Sequence, residues 1–322
     1  MAKGNFIEYV VSDNPNKYPN DGEQGGYLYE IVEDVTPEVT AQTPVITQIA
    51  ENLGVTITTP IGTNKQILQG NNANLQLIAG YKPPFKIVTW ANGTDEEIAA
   101  MVEAADAGII NLADYWAVGD IRTVQLSAMS ATGVGESHAA QEVELVLMHA
   151  GGYKLADGSI CSFVVGQKDC LAEKGYMNST GTNSGSWEGS ARRAWCNDEY
   201  KNAIPSTLRA IFKQFKTVTA QTYDGSTNQT SVDYFALPAE REIFDARNYC
   251  NQTEFNALFQ FDYYKTTSNR VKKLGKTSKK SEWQERSPNY NSSTNFCIVD
   301  VSGKAYYYNA TVTHGLAPFG CI

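Results

Sequence analysis

The sequence predicts an α+β chain, with helices and short antiparallel strands in its larger part and a β-rich region before them. Three observations predict this. Prolines at 15, 19, 37, 44 and 60 divide the first ~90 residues into short pieces and exclude long helices there. A capping signal and an apolar helical face follow directly after residue 90. The last forty residues alternate β-rich runs with turn signals and read as a hairpin followed by a short apolar segment.

In the N-terminal region, Tyr27 to Val32, Val55 to Thr58 and Leu75 to Ile78 are strand candidates between stretches rich in Thr, Asn, Gln and Gly. The region 1–90 holds too few apolar residues to build a large core of its own. It is expected to be a β-rich oligomerisation or attachment arm ordered by neighbouring subunits or a partner, and an extended arm of an ordinary domain has the same composition. After Lys82-Pro83-Pro84 the pattern sharpens. Thr94-Asp95-Glu96-Glu97 is a capping box, with Thr94 as N-cap and Glu97 reaching back to it. Ile98, Met101, Val102 and Ala105 make one helical face, and Gly108 ends the helix. Ile121 to Met129, Glu142 to His149 and Ile160 to Val165 read as strands. Ser206 to Phe215 reads as a helix burying Leu208, Ile211, Phe212 and Phe215, and a third helical stretch follows Pro238. Phe296 to Val301, the Ser302-Gly303 turn and Lys304 to Asn309 make the C-terminal hairpin. The apolar residues up to Ile322 predict an end that is tied into the fold.

At 322 residues the chain is longer than one average domain, so two units, 1–90 and 91–322, are expected. A net charge of −9 and a pI near 5.0 argue against general nucleic-acid binding. No apolar run approaches the ~20 residues needed to span a membrane, and Met1 to Val11 has no apolar core of a secretory signal. These features predict a product folded in a cytoplasm. The six cysteines (161, 170, 196, 250, 297 and 321) show no CxxC spacing and read as buried free thiols, with disulfides the lesser alternative.

Signals for catalysis are sparse. His138, His149 and His314 are the only histidines, and none has metal-ligand spacing to a partner. His149 reads as a strand-end residue, while His314, beside the tyrosine-rich hairpin, is placed to face a ligand. Glu240 and Glu242 flank Arg241 and read as a helix start with a structural ion pair. There is no P-loop, and Gly133-Val134-Gly135 lacks the rest of a dinucleotide fingerprint. Neither a catalytic set nor a cofactor or metal site is read. One basic segment stands out: between Lys265 and Lys280 there are six Lys, one Arg and no acid. It suits a solvated loop or an electrostatic contact to an anionic polymer or a partner protein.

The tail carries the strongest functional signal. Within 289–309 there are four Asn, four Tyr, three Ser and one Thr among 21 residues. Tyrosine supplies large rigid contacts at low entropic cost, while Ser and Asn supply adaptable hydrogen bonds, so this is the composition of a binding surface. A solvent-exposed polar hairpin has the same composition.

Three ordered blocks carry a resemblance. Trp283, Arg286-Ser287-Pro288, Phe296-Cys297-Ile298-Val299, Gly303 and the run Gly315 to Ile322 form the last block. Thr182-Asn183-Ser184-Gly185-Ser186-Trp187 with Ser190 and Arg192 forms the first, and Leu237 to Phe244 the second. Together, over roughly 116–322, they resemble an uncharacterised C-terminal domain family of phage and prophage tail proteins. That family is itself similar to the C-type-lectin-like variable proteins of diversity-generating retroelements. It usually carries large apolar residues where this chain has Gln284 and Glu285. The resemblance implies a C-type-lectin-like fold over 91–322 with a variable face in 283–322, and a virion-attachment arm over 1–90. It also implies a hypervariable face, because mutating the adenines of AAC codons leaves an Asn, Tyr, Ser and Thr bias. It places Trp187, Trp283, Arg286 and Pro288 in the rigid frame.

The expected ligand-binding residues are Gln284, Glu285, Asn289, Tyr290, Asn291, Ser293, Asn295, Tyr306, Tyr308 and Asn309, on one exposed face. Alternation along a strand should point Tyr306 and Tyr308 together and Tyr307 away. The function implied is a bacteriophage tail-tip, receptor-binding protein for host attachment, located in the virion and assembled in the host cytoplasm. Its partners would be a host cell-surface protein or glycan, other virion tail proteins and two further copies in a homotrimer, with no nucleic acid and no membrane insertion. The alternatives are a non-variable carbohydrate-binding lectin-like protein and an enzyme of the formylglycine-generating type. The reactive cysteine pair of that enzyme has no clear match in this chain.

Overall fold

The computed structural model describes residues 85–322 apart from Ser226, together with two strands nearer the N-terminus, β1 (Asn5–Val10) and β2 (Tyr27–Val32). The chain divides into two compact units, Met1–Lys86 and Ile87–Ile322. In the first, β1 and β2 pair antiparallel, with Phe6 opposite Ile31 and Tyr9 opposite Leu28. The strand read over Tyr27 to Val32 has those bounds, and β1 was not anticipated. The strand candidates at 55–58 and 75–78 lie outside the described residues.

The second unit mixes helices and small sheets and is α+β. It opens with α1 (Asp95–Asp106), whose capping box forms as read: Thr94 Oγ1 accepts from Glu97 N at 3.2 Å, and Glu97 Oε2 accepts from Thr94 N at 2.9 Å. Its buried face is Ile98, Met101, Val102 and Ala104, with Ala105 only half-buried. Gly108, at φ +72°, turns the chain away after the last helical turn.

A four-stranded antiparallel sheet follows. It contains β3 (Ile121–Leu126), β4 (Gln141–Ala150), β5 (Phe163–Gln167) and, far along the chain, β13 (Phe319–Cys321), in the order β13-β5-β4-β3. The edge strand β3 buries alternate residues, whereas β5, flanked on both edges, is buried at every position. A cluster of Tyr153, Phe215, Phe261 and Phe319 packs beside it, with ring centroids 5.1–6.2 Å apart. Ile322 is tied in as expected: its carbonyl accepts from Ser162 N at 2.7 Å, and its N–H donates to Phe163 O at 3.0 Å.

The helix read over 206–215 is shorter. Its helical part is Ser206–Ala210, and Phe215 already opens β6 (Phe215–Ala220), which pairs with β7 (Asn228–Asp233). Leu208, Ile211, Phe212 and Phe215 are all buried, but Leu208 lies in the helix, Phe215 in β6, and Ile211 and Phe212 in the link between them. The competing interaction is tertiary: Lys213 N donates to Cys321 O at 2.8 Å, drawing the chain onto the end of β13. After Pro238 a short helix, Glu240–Ile243, forms.

The basic segment holds two short paired strands, β8 (Lys272–Lys273) and β9 (Lys280–Ser281), and is not uniformly solvated. Lys272 is fully buried: its ammonium donates to the carbonyls of Gln167 and Lys168, both at 2.7 Å, and lies 5.0 Å from the centroid of the Trp283 ring. Burial, opposed by the nearby Cys170 and Asp169, brings it down to about 8. Lys265 and Lys276 stay exposed in ion pairs with Asp262 and Glu142. The six cysteines are buried and unpaired, as read.

Candidate functional site

The site rests on a three-stranded antiparallel sheet, β10 (Trp283–Pro288), β11 (Asn295–Val299) and β12 (Ala305–Asn309), with β11 in the middle. β10 is buried at every position and β11 nearly so, and β12 alternates between half-buried and exposed. A β-bulge between Gln284 and Pro288 interrupts the pairing of β10 with β11. β12 is therefore the strand that offers side chains to a partner.

Tyr306 and Tyr308 are 44% and 37% exposed, and Tyr307 between them is half-buried. The alternation holds for exposure, but the rings do not separate as cleanly. Tyr306 and Tyr307 stack nearly parallel with centroids 5.2 Å apart, and Tyr307 meets Tyr249 edge-on at 4.9 Å. Tyr249 also approaches Tyr306 at 6.4 Å, and its carbonyl accepts from Tyr290 N at 2.8 Å. Tyr290 is exposed under the guanidinium of Arg247, 5.0 Å from its ring centroid. The result is a platform of five tyrosines, four of them in ring contact and Tyr290 joined to them through its backbone bond to Tyr249.

Around it, Asn291 and Ser293 are exposed, and Asn295 and Asn309 are half-buried. Asn309 is partly engaged in its own turn, where its Oδ1 accepts from Thr311 N at 3.1 Å. The loop 289–294 is clamped from outside. Asn183 Nδ2 donates to the carbonyls of Ser292 at 2.6 Å and Asn295 at 2.8 Å.

Three of the expected contact residues are not on this face. Gln284, Glu285 and Asn289 are buried, at 2%, 0% and 2% exposure. Gln284 Nε2 donates to Gly175 O at 2.7 Å, and Asn289 Oδ1 accepts from Asn291 N at 2.8 Å to shape the turn. Both faces of β10 are covered, so its polar residues serve the interior. The positions where the resembling family is apolar are thus interior ones. Tyr249 and Arg247, by contrast, are part of the platform. No sequence signal marked them, because a loop 40 residues upstream delivers them.

The expected frame residues Trp187, Trp283, Arg286 and Pro288 are all buried. Trp187 Nε1 donates to Asp233 Oδ2 at 2.9 Å, and Trp283 Nε1 to Arg270 O at 2.9 Å. Arg286 forms a bidentate pair with Glu242, at 2.6 and 2.5 Å, with both side chains fully buried. The local pairing read for Glu240, Arg241 and Glu242 does not form. Arg241 turns outward to the carbonyls of Phe244 and Asp245, leaving Glu242 to Arg286.

The histidines are structural in geometry. His314 stands 5.0 Å from the Tyr308 ring but is 2% exposed, so it supports the face from below and does not meet a ligand directly. Burial and Lys174 bring it down to about 4. His138 is also brought down to about 4, by burial and Arg192; Glu173 Oε2 lies 3.1 Å away but is too exposed to reverse this. His149 is half-buried beside Asp262.

Beneath the platform lies a set of buried groups that the sequence did not reveal. Glu240, Glu242, Glu254 and Glu285 are fully buried around Arg286, together with the thiols of Cys250 and Cys297. Glu240 is well satisfied: Oε1 accepts from Asn248 N at 2.6 Å and Oε2 from Tyr249 N at 2.7 Å. Glu254 Oε2 accepts from Ala220 N at 2.7 Å, and its other oxygen meets Ser287 Oγ. Burial pushes Glu254 up to about 7. Glu285 is different, because neither of its carboxylate oxygens meets a hydrogen-bond donor among the described residues. Burial, and then the carboxylates of Glu240, Glu254 and Glu242, push it well above the usual carboxylate range. These acids come from three separate stretches of chain, so no spacing rule brings them together.

Residues 163–322 match a family described as a domain of unknown function (DUF6273). The match spans the platform, its frame and the buried acids, and leaves out α1, β3 and β4. No curated protein and no solved structure matches the chain.

Proposed function

We propose that this chain is a binding protein whose five-tyrosine platform, rimmed by Asn291, Ser293, Asn295 and Asn309, captures a ligand on a host-cell surface. In this reading 91–322 is a C-type-lectin-like domain of a phage tail-tip protein. The tyrosine face is its variable surface, diversified by a retroelement, and 1–90 is the attachment arm of a homotrimer. The observation that carries it is the contrast between β10 or β11, buried almost throughout, and β12, which presents exposed tyrosines on that fixed support. A preorganised aromatic surface binds without a large ordering cost. The thiols of Cys170 and Cys196 are pushed up to about 12 by burial, and Cys297 is pushed upward as well. Reactive cysteines need the opposite environment, which favours binding over thiol chemistry.

The test uses the fluorescently labelled full chain on a panel of gut-bacterial cells and on immobilised surface polysaccharides. A Tyr306→Ser/Tyr308→Ser variant should keep its melting temperature and lose about tenfold or more in affinity, equivalent to about 1.4 kcal/mol. Unchanged binding by that variant would overturn the assignment of the face. Retained binding to polysaccharide alone would favour the carbohydrate-binding lectin. A template repeat and a reverse-transcriptase gene beside this gene are the expected marks of diversification.

A further inference from the structure

The interior beneath the platform carries a charge imbalance that the described residues do not resolve. Four carboxylates, those of Glu240, Glu242, Glu254 and Glu285, face a single guanidinium, that of Arg286, and all five side chains are fully buried. Arg286 is committed to Glu242. Glu240 and Glu254 are held by backbone and hydroxyl donors. Among the described residues Glu285 alone of the four is left with both oxygens unpartnered, on a strand without solvent access. Burying an ionised carboxylate without a partner is among the costliest arrangements available to a protein.

The atoms around Glu285 suggest what the partner is. One carboxylate oxygen each of Glu285 and Glu240 and the Sγ of Cys297 lie within 4.8 Å of one another, and all three residues are buried. We propose that Glu240, Glu285 and Cys297 form a structural divalent-metal site, with Zn²⁺ the fitting ion. Zinc accepts thiolate and carboxylate ligands together, whereas Ca²⁺ and Mg²⁺ take oxygen ligands only. Tetrahedral bonds of about 2.0–2.3 Å place ligand atoms about 3.3–3.8 Å apart, so closing from within 4.8 Å takes a rotamer adjustment and no change of fold. Cys250, whose thiol interacts with the Glu240 carboxylate and donates to Asn251 O at 3.6 Å, lies outside this set and would have to turn to serve as a fourth ligand.

The ion reduces the charge imbalance and leaves one net negative charge, that of the Cys297 thiolate. Two positive charges from the metal and one from Arg286 offset three of the four carboxylates. Glu254, pushed up to about 7, carries a proton for a good part of the time at neutral pH. On binding, the Cys297 thiol gives up its proton and becomes a thiolate ligand. Because the site is enclosed, the metal enters during folding and its binding energy becomes folding energy.

The site also bears on the platform. Glu240 holds the backbone N–H groups of Asn248 and Tyr249, and Tyr249 is the ring on which Tyr306 and Tyr307 rest. Cys297 sits opposite Tyr307 in the β11–β12 register. A metal joining Glu240 to Cys297 therefore fixes the two supports of the aromatic surface to each other. The inference does not depend on which ligand that surface binds.

The experiment measures metal in the purified full-length chain by inductively coupled plasma mass spectrometry. The expected result is one zinc per chain, retained on dialysis against EDTA and released to a colorimetric zinc dye on unfolding in guanidinium. Refolding with Co²⁺ should give a thiolate-to-cobalt charge-transfer absorption, lost in Cys297→Ser and kept in Cys161→Ala. Glu285→Gln, nearly the same shape, should lower both the metal content and the melting temperature. Chain that carries no stoichiometric zinc as purified, and shows no charge-transfer band after refolding with Co²⁺, overturns the proposal. A Glu285→Gln variant that is metal-free and at least as stable as the parent overturns it as well, since Glu285 is then simply a neutral buried acid.

Discussion

Arg286→Met should destabilise the protein by about 3–5 kcal/mol at pH 7.5, the cost of removing one partner from a buried ion pair. The structure shows where the loss arises. The guanidinium donates to Leu237 O at 2.8 Å, to both oxygens of Glu242 at 2.6 and 2.5 Å, to the Tyr153 hydroxyl at 3.1 Å and to Val218 O at 3.4 Å. Methionine fills most of the same space and makes none of these bonds. Glu242 is left with Ala239 N at 2.8 Å and the Tyr153 hydroxyl as donors, and it is fully buried. It escapes by taking a proton. From an ordinary value of 4.5, holding that proton at pH 7.5 costs about 4.1 kcal/mol, which caps the charge part of the loss. The sign of the pH dependence follows. Without Arg286, the folded-state value of Glu242 rises further above its unfolded value. Its unfavourable contribution then grows as pH rises and fades as pH falls toward 4.5. The assay is urea unfolding followed by tryptophan fluorescence at pH 7.5 and pH 5. The variant's deficit should be smaller at pH 5, and Glu242→Gln/Arg286→Met should recover at least half of it at pH 7.5. A deficit below about 1 kcal/mol, or one that does not change with pH, would refute the reasoning.

Two further outcomes separate frame from surface and test the buried histidines. Trp283→Ala should cost about 3–5 kcal/mol, since the ring is fully buried and its N–H holds Arg270 O, while Tyr306→Ser at 44% exposure should stay within about 1 kcal/mol. Equal unfolding midpoints for the two would show the assignment reversed. His138 and His314 are each brought from 6.5 to about 4, so the folded state disfavours their charged form. Their contribution is complete above pH 6.5 and is lost as pH falls toward 4, about 2 kcal/mol for each histidine between pH 7.5 and pH 5. The buried acids Glu254 and Glu285 shift stability the other way, so the test is a difference. A His138→Gln variant should lose less stability than the parent between those two pH values, and parallel pH profiles would refute the account.

Local chemistry made part of the fold legible in the sequence. The Thr94–Glu97 capping box, the Gly108 stop, the hairpin around Ser302-Gly303 and the strand from Tyr27 to Val32 depend on residues close together in the chain, so their side chains specify them directly. Tyr306, Tyr308, Tyr290, Asn291 and Ser293 were legible as surface for the same reason: composition and period-two alternation are local signals. Tertiary structure decided the rest. Phe215 left its helix because it pairs with Asp233 of β7, and Lys213, two residues earlier, is bonded to Cys321. Gln284 and Glu285 went inward because β10 is covered on both faces, a fact about neighbours that alternation along one strand does not encode. Lys272 left the basic segment for the Trp283 ring, and Arg286 took Glu242 from a stretch 44 residues away. Glu240, Glu285 and Cys297 meet only in three dimensions, because desolvation and carboxylate crowding depend on the folded surroundings and not on spacing along the chain.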